Sequence, residues 1–504
     1  MASSSILGID FGTTNTAATY FDKTGRLRLV PVTDKSFVLP SVVWYHAGDK
    51  AIVGHAARTQ IIDDPRHTIF GAKRFLGRRF DSEFVALHKD RFAFDLVPGP
   101  DGYAAIHVYG QVRPLTDVVH VIIKQILTLA NHAAGEPFSQ CVLTVPAHAS
   151  IRQREAVRRA AEKSGLEVRA IINEPTAAAL YYANLRNPEQ TVLVFDLGGG
   201  TFDATLMSVQ NRVVKVLATG GDAFLGGANF DEAIVEGLVD EFERQSGVRI
   251  RGNKLVMQRL IFAAESAKIA LSVREEAQMR VAGLTQKEGA FVDFNFSLTR
   301  AQLEQLVFQL IERLAASVDD VLQRANMTPE QVDELVLVGG MTRMPAVRQR
   351  FAHFRRTSTD KEVHPDLGVA IGAGVLGRNL ARGIVGLADV VPMPISAMLP
   401  GGRTVEVIPA NTPVPCTKTL PLEALPMWNA PIPIAIFESL STTAVDREIL
   451  GTLHVPPQWR AAQPGGGQLE LKMGHDFTLR ATLIADNGAR TPVQLVDPKP
   501  ITAV

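Results

Sequence analysis

The sequence predicts an α/β protein of two related lobes followed by a small all-β domain. Three observations carry this. The phrase Asp10-Phe11-Gly12-Thr13-Thr14-Asn15 is nearly repeated at Asp196-Leu197-Gly198-Gly199-Gly200-Thr201-Phe202-Asp203, each copy after an apolar run that reads as a buried strand. Strand-like and helix-like segments alternate as far as residue 382. Beyond Gly383 proline becomes dense and helical periodicity stops. A chain of 504 residues has room for more than one domain.

Taken in order, residues 5–9 form the first strand and run into the first Asp-Gly turn. Residues 117–134 carry an apolar stripe at helical spacing. Residues 139–145 read as a strand ending at Pro146, and 150–164 as an Arg-rich amphipathic helix stopped by Gly165. Glu174-Pro175-Thr176 places proline at a helix start, where its missing N–H costs nothing. Residues 191–195 are the strand before the second turn. Residues 255–271 and 300–324 are further amphipathic helices, and Leu335-Val336-Leu337-Val338 is a buried strand ending in Gly339-Gly340. After residue 383, segments 404–408, 432–436 and 477–483 alternate in polarity between Gly-rich turns, as short strands do. Proline within these strands favours edge positions.

Composition narrows the function. An apolar share of 46% with 21% charged residues is that of a globular protein. Lys+Arg and Asp+Glu both number 52, which gives no reason to expect nucleic acid or an anionic membrane as partner. Two cysteines, Cys141 and Cys416, make a disulfide framework implausible. The N-terminus lacks the basic and apolar regions of a signal peptide, so the cytoplasm is expected.

The repeated phrase points to phosphate. Glycines let backbone N–H groups close on anionic oxygens, and threonines add hydroxyl donors. Aspartates repel phosphate but suit a hydrated Mg²⁺. Two such turns imply two lobes closing on one nucleotide.

Five phrases together resemble the ATPase domain of the seventy-kilodalton heat-shock chaperones, the DnaK type, over residues 6–382. They are Ile9-Asp10-Phe11-Gly12-Thr13-Thr14-Asn15, Ala72-Lys73-Arg74-Phe75-Leu76-Gly77-Arg78, Ile172-Asn173-Glu174-Pro175-Thr176-Ala177-Ala178-Ala179, the second turn from Phe195 to Asp203, and Leu337-Val338-Gly339-Gly340-Met341-Thr342-Arg343-Met344-Pro345. The Asp-Gly-Thr units alone also suit actins and sugar kinases; the Asn-Glu-Pro-Thr and Gly-Gly-x-Thr-Arg phrases narrow the match to the chaperones. The resemblance implies an actin-like ATPase domain, a duplicated ribonuclease-H-like fold, over 1–382. A linker over 383–389 and a β-sandwich peptide-binding domain over 390–504 follow.

It also implies residue roles. Lys73, Glu174, Asp196, Thr201 and Asp203 resemble the hydrolytic set, with Asp10, Glu174 and Asp196 around Mg²⁺, mainly through water, and with K⁺. Asp10, Gly12, Thr13, Thr14, Asn15, Gly198, Gly199 and Gly200 resemble the phosphate clamps. Gly226, Gly227, Asp231, Glu265, Lys268, Ser272, Gly339, Gly340, Met341, Arg343 and Asp366 resemble the rest of the ATP/ADP site. Pro146 and Arg154 match a relay between domains. Ile395, Ala397, Leu399, Leu422, Ile432 and Ile434 fall where the family has its peptide groove, although alternation of this kind equally fits sandwich core; Pro400 and Leu425 fall on the arch above it. Client polypeptides, a J-domain cochaperone and a nucleotide exchange factor are the implied partners.

Three departures stand out. The linker Val385-Gly386-Leu387-Ala388-Asp389 replaces a Leu-rich segment, losing burial worth roughly 1.5–3 kcal/mol per large side chain. Ala170 stands where many members carry an arginine for the J-domain. No helical run follows the β domain, so a chaperone without a lid is expected. Two rival readings fit the same residues: a nucleotide-gated scaffold with one dedicated partner, and a small-molecule kinase of the same superfold.

Overall fold

The computed structural model describes residues 5–46, 50–186, 189–210, 213–358, 363–384, 387–422, 429–439, 447–463, 465–474 and 476–496. It separates into two compact units. One comprises Met1–Ala147 with Ala156–Gly386, the other His148–Glu155 with Leu387–Val504. No composition shift marks 148–155 as grouping with the later residues.

The larger unit contains the duplication predicted from the repeated phrase. In the first lobe, Glu167–Asn173, Gln140–Val145, Leu7–Phe11, Asn15–Phe21 and Leu27–Leu29 lie side by side in that order. Leu7–Phe11 runs parallel to Gln140–Val145 and antiparallel to Asn15–Phe21. In the second lobe, Glu334–Val338, Gln190–Leu197, Phe202–Gln210 and Val213–Asp222 repeat that arrangement. Gln190–Leu197 is parallel to Glu334–Val338 and antiparallel to Phe202–Gln210. The parallel central strands are buried almost throughout, which is why both read as continuous apolar runs.

Two helices tie the lobes together. Glu174–Arg186 follows the first-lobe sheet in sequence but packs on the second-lobe strands Gln190–Leu197, Phe202–Gln210 and Val213–Asp222. Gly368–Ala381, at the end of the second lobe, packs on Leu7–Phe11 and Asn15–Phe21 of the first. The helices cross where Gly372 meets Ala177; a Cβ on Gly372 would lie 1.7 Å from the Ala177 carbonyl oxygen, so only glycine fits.

Helices expected from periodicity appear at Leu115–Ala134, Ile151–Lys163, Lys254–Leu271 and Arg300–Arg324. The last starts with a capping box between Thr299 and Gln302, and Lys254–Leu271 is capped by the Asn253 side chain. Among the described residues, no helix is long and apolar enough to cross a membrane.

The smaller unit is a β-sandwich. One sheet has the order Thr404–Ile408, Ile395–Met398, Ile432–Ser439, Arg447–Val455; the other Cys416–Pro421, Gln468–Met473, Leu479–Ile484, Arg490–Val493. Their inner faces form one apolar core. Pro433 sits where its strand pairs on one side only, because Ile395–Met398 covers Ala435 to Glu438 alone. Pro492 lies on an edge strand. These positions need no N–H on the open side. One expected boundary shifts: Phe477 belongs to a turn with φ 59° and the strand starts at Leu479, because the buried ring comes from the turn.

Candidate functional site

Both Asp-Gly phrases fold into turns closed by an equivalent hydrogen bond. The Gly12 N–H donates to the Asn15 carbonyl at 3.0 Å, and the Gly198 N–H to the Thr201 carbonyl at 3.1 Å. Each turn closes an antiparallel hairpin, so each aspartate sits at the end of a buried strand. Asp196 and Asp203 are cross-strand partners. The turns press together: a Cβ on Gly199 would lie 1.9 Å from Thr14 Oγ1, and one on Gly226 2.5 Å from the Gly200 nitrogen.

Beneath the turns the carboxylates gather around one lysine. Lys73, in the short helical turn Ala72–Arg74, is 8% exposed. Its Nζ donates to Glu174 Oε1 at 2.6 Å and to the Phe11 carbonyl. Asp10 accepts from the Thr144 hydroxyl at 2.7 Å. Burial pushes the Glu174 carboxyl up to about 7, against the pull of Lys73. Burial, with repulsion from Glu174, Asp203 and Asp10, lifts Asp196 well above the carboxylate range; burial also raises Asp10. One lysine does not balance three buried acids and the half-buried Asp10, and the cluster is short of positive charge.

Above the cluster a cavity of about 750 Å³ opens between the lobes. Of the residues singled out in the sequence, Thr13, Thr14, Asn15, Gly199, Gly227, Asp231, Glu265, Lys268, Ser272, Gly340, Met341, Arg343 and Asp366 line it. Asp10, Lys73, Glu174, Asp196 and Asp203 lie outside that lining, with Gly12, Gly198, Gly200, Thr201, Gly226 and Gly339 in the turns around it. Several lining residues pair with each other. Lys268 meets the buried Asp231 at 2.7 Å and donates to the Gly227 carbonyl; Arg343 meets Asp366 at 2.8 Å. Burial raises Asp231 to about 6 despite Lys268.

Sequence reading missed the contacts that cross the cleft. Arg58 bridges to Glu265 at 2.7 Å. Gln258, buried on the helix Lys254–Leu271, accepts from the Ala93 N–H and donates to the Ile61 carbonyl. Arg74 reaches the Gly199 carbonyl at 3.3 Å. The first two join segments distant in sequence with no shared phrase; Arg74 lay in a phrase already quoted, but only its neighbour was assigned.

Comparison with known proteins decides the family. The sequence model of the Hsp70 protein family matches residues 6–477. The chain belongs to the Hsp70 family. Over 460 residues it is 37% identical to the chaperone protein DnaK of Thermus thermophilus, covering 90% of this chain and 74% of that one. Over 462 residues it is 35% identical to the mitochondrial heat shock 70 kDa protein of Pisum sativum, covering 90% and 68%. This Hsp70 is an ATPase and an ATP-dependent chaperone of the DnaK type, with an actin-like ATPase fold and a β-sandwich, and it binds nucleotide with Mg²⁺. Neither rival is favoured.

The remaining assignments fall as follows. Pro146 ends the strand Gln140–Val145. Arg154, in the smaller unit, holds its guanidinium 4.1 Å from the Phe477 ring centroid. Ile395, Ala397, Leu399, Leu422, Ile432 and Ile434 are all buried in the sandwich core, so each packs against its own domain. Pro400 lies in the turn after Ile395–Met398; Leu425, Val385 and Gly386 lie outside the described residues.

Proposed function

We propose that ATP lies in the 750 Å³ cavity with its phosphates between the two turns, and that water attacks the terminal phosphate in line, slowly. One observation carries this reading: Lys73, held by Glu174 and the Phe11 carbonyl, sits beneath two turns closed by equivalent hydrogen bonds. The fixed ammonium is placed to stabilise charge developing on the leaving phosphates. Glu174, Asp196 and Asp203 hold and orient the water, and Thr201 donates from the second turn. Thr13, Thr14 and Asn15 clamp from the first lobe, and Gly198, Gly199 and Gly200 from the second. Gly226, Gly227, Asp231, Glu265, Lys268, Ser272 and the Gly339–Arg343 turn, with Asp366, take the nucleoside.

The excess of buried carboxylate fits a cation. Asp10, Glu174 and Asp196 would hold Mg²⁺, which would supply charge that offsets the phosphates, and the same acidic pocket would suit K⁺. These carboxylates would reach the metal mainly through water.

The nucleotide state governs binding of extended apolar polypeptide by the β-sandwich, with Pro146 and Arg154 in the relay and the six inner residues beside the groove. A J-domain cochaperone and a nucleotide exchange factor act on the ATPase cycle in the cytoplasm. Family membership supports client polypeptides as partners; two cysteines without a disulfide suit a reducing compartment.

Lys73→Ala tests the chemistry. Single-turnover hydrolysis should fall by about 10²–10³-fold, the usual cost of one charge-stabilising group, while ATP still binds. Hydrolysis at the native rate would remove Lys73 from its role. Adding an extended, Leu-rich peptide should speed turnover of the unaltered protein; indifference would disconnect the β-sandwich from the ATPase.

A further inference from the structure

The basic run after Lys73 contains an arginine that the hydrolytic assignment leaves unused. Arg78 is 7% exposed, which is rare for an arginine on a loop. Its guanidinium carbon lies 4.4 Å from the Phe84 ring centroid and 5.1 Å from that of Phe224. The two rings stack at 4.6 Å with 27° between their planes. His88 adds a third ring, 4.3 Å from Phe84. Burial, reinforced by Arg91, Arg74 and Arg78, lowers His88 to about 4, so it packs there as a neutral ring, tilted 57° to Phe84.

The cluster joins the lobes. Arg78, Phe84 and His88 belong to the first lobe, on the segment that carries Lys73 and on the helix Glu83–His88. Phe224 belongs to the second. Its turn is firmly built: the Phe224 N–H donates to Asp222 Oδ1 at 2.9 Å and the Leu225 N–H to the Asp222 carbonyl. Just beyond it, the Gly227 and Ala228 N–H groups donate to the Gly198 and Gly199 carbonyls at 2.9 and 3.0 Å. Phe224 therefore moves with the second glycine turn, and Arg78 moves with Lys73.

We propose that Phe224 is a positioning residue for ATP hydrolysis: stacked on Arg78 and Phe84, it registers the second glycine turn against the Lys73 segment when the lobes are closed. It acts through Lys73 and touches neither nucleotide nor water. Its effect falls on the chemical step, because misplacing a catalytic group by about 1 Å costs about 10²-fold, whereas ATP contacts made by other residues persist. The inference rests on the role given to Lys73.

The test compares Phe224→Leu with Phe224→Tyr, in the full chain, by single-turnover hydrolysis of prebound ATP and by ATP affinity. Phe224→Leu keeps apolar volume but loses the ring face that attracts the guanidinium. Its rate should fall about tenfold, the equivalent of about 1.4 kcal/mol, with ATP affinity within about twofold of native. Phe224→Tyr retains the ring and should restore the rate. A native rate in Phe224→Leu would overturn the proposal, and so would a Tyr variant no better than Leu. So would a loss confined to affinity. Lys73→Ala, run in parallel, separates the two ideas: if it hydrolyses normally, the Lys73 assignment has failed instead.

Discussion

The two phosphate turns close in the same way and differ in what they present. The first lobe offers side chains: Thr13 and Thr14 follow its glycine. The second offers backbone: Gly198, Gly199 and Gly200 stand in a row. Their hairpins close through equivalent hydrogen bonds of 3.0 and 3.1 Å, and the contrast in what they present is one of side-chain volume. It follows from the contact between them. Where Thr14 projects, Gly199 must be bare, and only one of two facing turns can carry bulk.

The largest effect should come from reversing that division. Gly199→Ala sets a methyl against Thr14 Oγ1. At an overpacking cost of about 1–3 kcal/mol it should weaken ATP binding by up to about a hundredfold, read by equilibrium binding. The double variant Gly199→Ala with Thr14→Ala should recover part of the loss; no recovery would mean the turns do not limit each other. Thr14→Ala alone removes one hydroxyl donor and should cost about fivefold in affinity, since a net hydrogen bond is worth about 0.5–1.5 kcal/mol.

The lobes should also differ in response to acid. His88 in the first lobe is lowered to about 4 by burial and nearby guanidinium groups. The unfolded chain binds that proton more tightly, so this contribution is present above pH 6.5 and is lost as pH falls toward 4. Asp231 in the second lobe is raised to about 6 by burial. Its contribution is present below pH 3.8 and is lost as pH rises through 6. The two trends oppose each other between about pH 4 and 6. In urea unfolding across that range, His88→Phe should make stability fall more steeply as pH rises, and Asp231→Asn should do the reverse. Unchanged slopes would show that neither group titrates with folding.

The smallest effect concerns what holds the lobes together at the rim. Arg58 and Glu265 are each about a quarter exposed, and such pairs contribute about 0.2–1 kcal/mol. Arg58→Met should speed nucleotide release by no more than about fivefold, and added salt should shrink the difference.

Much of this architecture was legible because it is local. The Asp-Gly phrases, the capped helix Arg300–Arg324 and the alternating strands of the sandwich declare themselves through spacing. The separate roles of Lys73 and Glu174 came from family resemblance, and the structure pairs them and adds the Phe11 carbonyl as third member. What stayed hidden joins distant segments. Gln258 bridges Ile61 and Ala93, and Phe224 lies against Arg78, through contacts that no periodicity encodes. The inner residues of the sandwich show the opposite difficulty: alternation fits a core and a groove alike, and all six prove to be packed in the core.

The crossing of Gly372 with Ala177 has a mechanical consequence. Backbones in direct contact leave no room for the helices to slide, but they can swivel, as blades do about a rivet. Opening of the cleft is then angular, with displacement growing with distance from the rivet, and a bulky side chain at position 372 would pry the blades apart at their fulcrum. Exchange of amide hydrogens for deuterium should accordingly be slowest at the crossing.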